Sequence, residues 1–349
     1  MNYMINLKSL GLLLAWFALS PLAQAAPGSE SEDRSNGNSA AENVKEVPAQ
    51  AVTVDPLTVN PLQVALLKWG TYSGVKFAVG NGPRRVAFDG THIWVTNFSA
   101  NMVSKLRASD GFVVANYPAG SGPVSIAFDG AFIWVGNPGV GNGIVTRLRA
   151  SDGMLMGTVP NVNGGDSLVC DGANVWVANT DERKVTKVRT SDLTVQGPFS
   201  AGGPAAALAF DGENIWVANR GFDSLTELRA SDGGLVRRVA LGRQTQPQGV
   251  AFDGANIWAA GAFGFIFKVR ASDGQVLNSF PVGGNLRGIA FDGANIWVAE
   301  NDGSAVKKVR ASDGQVLGTF NPGVGVRGVA FDGANIWVAC FGSNWVSKL

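Results

Sequence analysis

The sequence predicts an all-β chain, a seven-bladed β-propeller of four-stranded antiparallel blades whose ring is closed by an N-terminal strand completing the last blade. Three observations predict it. First, the phrase that opens as Ala87-Phe88-Asp89-Gly90 and ends Ile93-Trp94-Val95 recurs with Asp at 89, 129, 171, 211, 253, 292 and 332, in steps of 39 to 42 residues. A fixed period near 40 residues marks a repeat architecture. Second, seven of the ten tryptophans fall at one phase of that period, from Trp94 to Trp337. Third, a second turn phrase, Arg107-Ala108-Ser109-Asp110-Gly111, lies between copies and returns around Asp152, Asp192, Asp232, Asp273 and Asp313, with Leu193 replacing Gly once.

Each copy resolves into four short strands. In the sixth they are Gly288–Phe291, Ile296–Ala299, Ala305–Arg310 and Gln315–Phe320, with turns at Asp292-Gly293 and Ser312-Asp313-Gly314. Asp-Gly between β-rich runs is a hairpin signal, because Gly accepts the positive φ of tight turns. The strands are apolar on both faces, so each sheet is covered on both sides. Four-stranded sheets packed face to face about an axis make a propeller. The alternative, a β-solenoid, has a shorter repeat with fewer hairpin turns. The seventh copy stops after its third strand, at Leu349. Val75–Gly80 resembles the fourth strands of other copies and supplies the missing one, hiding edges that otherwise template aggregation.

The residues before the repeats read differently. Met1–Ala25 has a positive start at Lys8, an apolar run from Leu10 to Leu22 and a small-x-small site at Ala23-Gln24-Ala25, which predicts a cleaved signal peptide and a periplasmic or secreted mature chain. The apolar run is short of the ~20 residues that span a bilayer. Residues 26–51 are small and polar and predict a disordered linker; 52–74 form a lead-in segment; 75–349 form the propeller.

Composition narrows the function. Lys+Arg is 28 and Asp+Glu 27, which lacks the basic footprint of a nucleic-acid binder. Glycine is 46 of 349 residues, about twice the usual ~7%; no Gly-rich loop joins a strand to a helix, so these glycines are turns and not a nucleotide site. No basic run or amphipathic helix points to a membrane after signal cleavage. One His and two Cys leave little for a histidine-based metal site or a disulfide framework. The repeated turn aspartates supply one carboxylate each, whereas calcium takes six to eight converging oxygens, so they read as turn caps. No metal or cofactor is implied.

The phrase Val329-Ala330-Phe331-Asp332-Gly333-Ala334-Asn335-Ile336-Trp337-Val338-Ala339 resembles the repeats of bacterial secreted propellers of the YVTN/NHL and virginiamycin B lyase-like type, over residues 75–349. The resemblance implies the propeller fold and a secreted location. Lyases of that type use a histidine-centred, metal-assisted site at the funnel. The lone histidine, His92, occupies a turn position on the opposite face, so no catalytic residue carries over.

Positions that differ between copies are where a site can lie. Two residues before each first-strand core residue stand Arg84, Val124, Asp166, Ala206, Gln248, Arg287 and Arg327; after each second strand stand Asn97, Asn137, Asn179, Asn219, Gly261, Glu300 and Cys340. Both sets are expected to ring one mouth of the channel. Blades six, seven and one adjoin once the ring closes, so Arg287, Arg327 and Arg84 form a basic arc near Glu300 and Cys340, with the asparagines opposite. Guanidinium forks suit carboxylate or phosphate. The expected function is therefore a binding scaffold for a small anionic or polar ligand. Two alternatives are a lyase or hydrolase using Glu300 as base, and a protein-interaction platform with Phe98, Phe222, Phe263, Phe265, Phe341 and Trp345 as its rim. Cys170 and Cys340 are expected to be free thiols, lying in blades three and seven.

Overall fold

The computed structural model describes residues 74–138, 143–162 and 165–349. The expected signal peptide and linker, and nearly all of the lead-in segment, lie outside the described residues. The described chain is all-β: 28 strands in seven four-stranded antiparallel sheets, a seven-bladed propeller.

Blade one shows the plan, with strands Pro83–Phe88, His92–Asn97, Met102–Arg107 and Val113–Pro118 in that order across the sheet. Blade six begins earlier than the repeat phrase predicts, with its first strand at Leu286–Phe291. Of the two extra residues, Leu286 pairs with Glu300 and Arg287 belongs to a bulge that reappears at the candidate site. In the last sheet the order runs Val326–Phe331, Ile336–Cys340, Trp345–Lys348, and then Val75–Ala78, with Val75 opposite Lys348 and Ala78 opposite Trp345.

The tryptophan of each phrase is buried, and its only polar group has a dedicated partner. Trp258 Nε1 donates to Asp253 Oδ2 at 2.7 Å, while Asp253 Oδ1 accepts the backbone N–H groups of Ala255 and Asn256. The same carboxylate–indole bond recurs in all seven blades, at 2.7–2.8 Å. The Asp-Gly turn thus does two jobs: Gly takes the positive φ, and Asp holds the turn and the ring of the strand that leaves it. Burial raises the Asp253 carboxyl pKa, but the bonds from Trp258, Ala255 and Asn256 together outweigh it and hold the group below its usual range.

The core is divided among the blade interfaces. Each of seven buried clusters draws on two adjacent blades; the one between blades seven and one joins Trp337, Ala339 and Val346 to Val86, Ile93 and Leu106. Third-strand cations add polar ties: Lys105 Nζ donates to the carbonyls of Ala150 and Ser151 in blade two, and Lys348 Nζ to those of Ala108 and Ser109 in blade one. Each ammonium also lies about 5 Å from its own blade's tryptophan ring. By contrast, the six Arg–Asp pairs of the second turn phrase, such as Arg270–Asp273 at 2.7 Å, are half-exposed, and such pairs add ~0–1 kcal/mol.

Two outcomes test this scaffold. Asp253→Ala strands four donors, the Trp258 indole, the backbone N–H groups of Ala255 and Asn256 and the Asn256 amide, and is expected to cost about 3 kcal/mol in urea unfolding, whereas Asp273→Ala at an exposed turn costs under about 1 kcal/mol. Deleting residues 75–80 exposes the edge of Trp345–Lys348 and is expected to abolish cooperative unfolding; an unchanged transition means the ring does not depend on that strand.

Candidate functional site

The first strands line the central channel, and in five of the seven blades a shared irregularity aims a residue into it. In blades one, four, five, six and seven the pairing of first to second strand slips near its start. In blade five Pro247 faces Gly261 and Gly249 faces Ala260, leaving Gln248 without an opposite. Ala206 and Arg327 occupy the same place in blades four and seven; in blades six and one the slip spans Arg287-Gly288 and Arg84-Arg85. A bulge of this kind re-aims a side chain without breaking the sheet.

These residues converge. A cavity of about 170 Å³ at the mouth of the channel is lined by Arg84, Arg85, Val124, Asp166, Thr180, Ala206, Arg220, Gln248, Arg287 and Arg327. The set taken one per blade from the first strands is there in full. The channel continues inward past Ser167, Leu208, Val250, Ile289 and Val329. Close backbone packing brings the basic blades together: a Cβ on Gly249 would overlap the Arg287 carbonyl oxygen, one on Gly288 that of Arg327, and one on Gly328 would lie 2.7 Å from that of Arg84. Glycine at these three positions lets each arginine-bearing strand approach its predecessor.

The second set lies elsewhere. Side chains alternate along a strand, and the last residue of the second strand points into the blade while the next faces the mouth. Asn97 Nδ2 donates to Ser104 Oγ at 2.8 Å, Asn179 to Thr186 Oγ1 at 3.1 Å and Asn219 to Thr226 Oγ1 at 2.8 Å, all buried. Asn137 Nδ2 donates to the Ser121 carbonyl. Glu300 is paired with Lys307 at 2.8 Å, and Cys340 is fully buried, its thiol pushed up to about 11 by burial. None of these lines the cavity. The residues one step further on include Thr180 and Arg220, which do; strand alternation was the signal for them. Arg85 was hidden, because regular alternation sends it away from Arg84 and only the bulge turns it inward.

Five guanidinium groups and one carboxylate therefore share the cavity. None of the five makes an ion pair within 4.0 Å among the described residues. Arg85 donates to the Arg327 carbonyl at 3.0 Å. The Nε atoms of Arg287 and Arg327 are buried without an acceptor. Burial, then the charges of Arg84, Arg287 and Arg327, lowers Arg85 to about 10; burial, then Arg84 and Arg287, lowers Arg327 to about 10. Arg84 is lowered by burial and by Arg287 against the pull of Asp166, and Arg287 by burial and by Arg220 against Asp302.

Two rim aromatics hold this arc in place. The Arg84 guanidinium lies 4.5 Å from the Phe98 ring and that of Arg327 lies 4.3 Å from Phe341, with the two rings 6.4 Å apart. Phe222 lies under Arg183, Phe263 and Phe265 are exposed in another blade, and Trp345 donates to the Pro322 carbonyl. The six aromatics do not join into one rim.

The crowding predicts an inverse effect on stability. A base whose pKa is lowered on folding costs stability wherever it is charged in both states, here below about pH 10, and the cost fades as pH rises from there toward the unfolded value. In chloride-poor buffer at pH 7, Arg327→Gln is expected to raise the thermal midpoint, while Arg310→Gln at an exposed pair changes it by no more than about 1 °C. A lower midpoint for Arg327→Gln overturns this account of the crowding.

Comparison with solved structures finds the same fold in the hydrazine synthase of Kuenenia stuttgartiensis, with a TM-score of 0.68 and 16% identity, covering 80% of this chain and 97% of that one. The likeness is one of fold alone. No protein-family model matches the chain, and neither does any curated protein.

Proposed function

We propose that this chain is an extracytoplasmic binding propeller of the YVTN/NHL, virginiamycin B lyase-like type that takes a small anion at the mouth of its central channel. The observation that carries the reading is the gathering of Arg84, Arg85, Arg220, Arg287 and Arg327 around one cavity that offers them only Asp166 as counter-charge. A fold with no use for an anion gains nothing by holding five like charges together: two unit charges about 8 Å apart repel by ~2 kcal/mol at an effective dielectric of ~20. Guanidinium groups offer paired, charge-assisted donors to an oxyanion. The leader at Met1–Ala25 supports the location.

Binding without turnover is the better-supported form of the proposal. Glu300, the base of the lyase reading, is tied to Lys307 and does not line the cavity. Among the lining residues Asp166 is the one acid, and its charge is felt by Arg84 and Arg85, which suits it to orienting the arc more than to proton transfer.

A thermal-shift series with phosphates and carboxylates tests this. A ligand at about 100 times its Kd is expected to stabilise the protein by about 2.7 kcal/mol, and an Arg84→Ala, Arg287→Ala, Arg327→Ala triple variant is expected to lose that gain. No shift with any anion, or a shift that survives in the triple variant, overturns the proposal.

A further inference from the structure

We infer that the occupant of this cavity is a compact polyanion with three or four negative charges, and that a singly charged anion is a poor fit. The inference rests on the anion-binding reading and adds the charge and size of the ligand. Five guanidinium groups against one carboxylate leave four positive charges unbalanced in one cavity. A monoanion would leave most of that repulsion in place, whereas three or four charges on one small molecule remove it. Four of the arginines stand on three consecutive blades, Arg287, Arg327 and Arg84 as one arc with Arg85 beside it through the bulge, and Arg220 reaches the cavity from the end of a second strand in blade four. Charges spread over an arc match several oxyanion groups on one ligand better than a single carboxylate.

Size sets the other bound. A cavity of about 170 Å³ is close to one that admits a benzene-sized molecule, ~150 Å³. A tricarboxylate or a short condensed phosphate is of that scale; a nucleic-acid strand or an acidic protein segment is not. The side opposite the arc is made by Asp166 and Thr180 of blade three. Asp166 sets a limit on negative charge there, so the polyanion is held toward blades six, seven and one. The buried Nε donors of Arg287 and Arg327, which lack acceptors in the protein, mark where the arc is least satisfied by the fold itself.

Calorimetric titration of the full chain, at one fixed ionic strength and pH 7.5, tests the inference with five probes: acetate, orthophosphate, pyrophosphate, tripolyphosphate and citrate. Affinity is expected to rise at least tenfold from acetate to citrate, and at least tenfold from orthophosphate to tripolyphosphate. The stronger of the two series identifies carboxylate or phosphate as the oxyanion. Arg220 is solvent-exposed and outside the core, so Arg220→Gln is expected to fold normally and to weaken the polyanion tenfold or more. Asp166→Asn is expected to tighten the polyanion several-fold. Equal affinity for acetate and citrate, and for orthophosphate and tripolyphosphate, overturns this inference and leaves the anion-binding reading standing. Absence of binding by all five probes overturns both.

Discussion

The carboxylate–indole bond between the turn aspartate and the tryptophan five residues on is the contact on which the other features of this propeller depend. A tryptophan is large enough to fill the wedge between two blades, but burying its N–H without a partner costs on the order of 1–3 kcal/mol. The aspartate removes that cost in every blade with a group the turn already needs. With the indole fixed, the rest of the interface is set around it. Aromatic rings of fourth strands, Tyr117, Phe199, Phe280 and Phe320, pack on Trp94, Trp176, Trp258 and Trp297, and Phe77 packs on Trp337. The third-strand cation lies over the same ring and reaches the next blade's turn.

Blade four departs from this pattern and shows what the pattern accomplishes. Glu227 stands where other blades have Lys or Arg, and Arg237 of the neighbouring strand pairs with it at 2.6 Å and donates to the Ser272 carbonyl of blade five. The cation that ties blade to blade has moved to the fourth strand, and a carboxylate fills its old place. Burial pushes Glu227 up to about 7 against the pull of Arg237, with Asp211 and Glu213 adding to the rise. The tie to the next blade is kept while its bearer changes, which marks the carbonyl at the turn as the constrained end of the contact.

The opposite mouth obeys a different rule. Where the turns repeat, the chain spends its identity on packing; where the first strands bulge, one or two residues per blade are released from the sheet and are free to vary. Five of the blades use that freedom, and three adjacent ones use it for arginine. The glycines behind Gln248, Arg287 and Arg327 then let those strands crowd together. A rigid ring thus holds like charges at a distance they would not choose.

Much of this was legible in the residues themselves. The 40-residue period, the Asp-Gly and Ser-Asp-Gly turns and the tryptophan phase determined the blade count, the strands and the fold, because each is a local signal repeated seven times. The one-per-blade set from Arg84 to Arg327 was also legible, as the variable position of an otherwise uniform phrase. Only the tertiary structure decided which neighbours share the cavity. Asn97, Asn137, Asn179, Asn219, Glu300 and Cys340 stood next to the mouth in sequence but face into their blades, since one step along a strand reverses the side chain. Arg85 enters through a slip in pairing with the second strand, and Arg220 and Thr180 enter from strand ends in blades four and three. Those placements depend on register between strands and on how blades close around an axis, and neither is written in any single repeat.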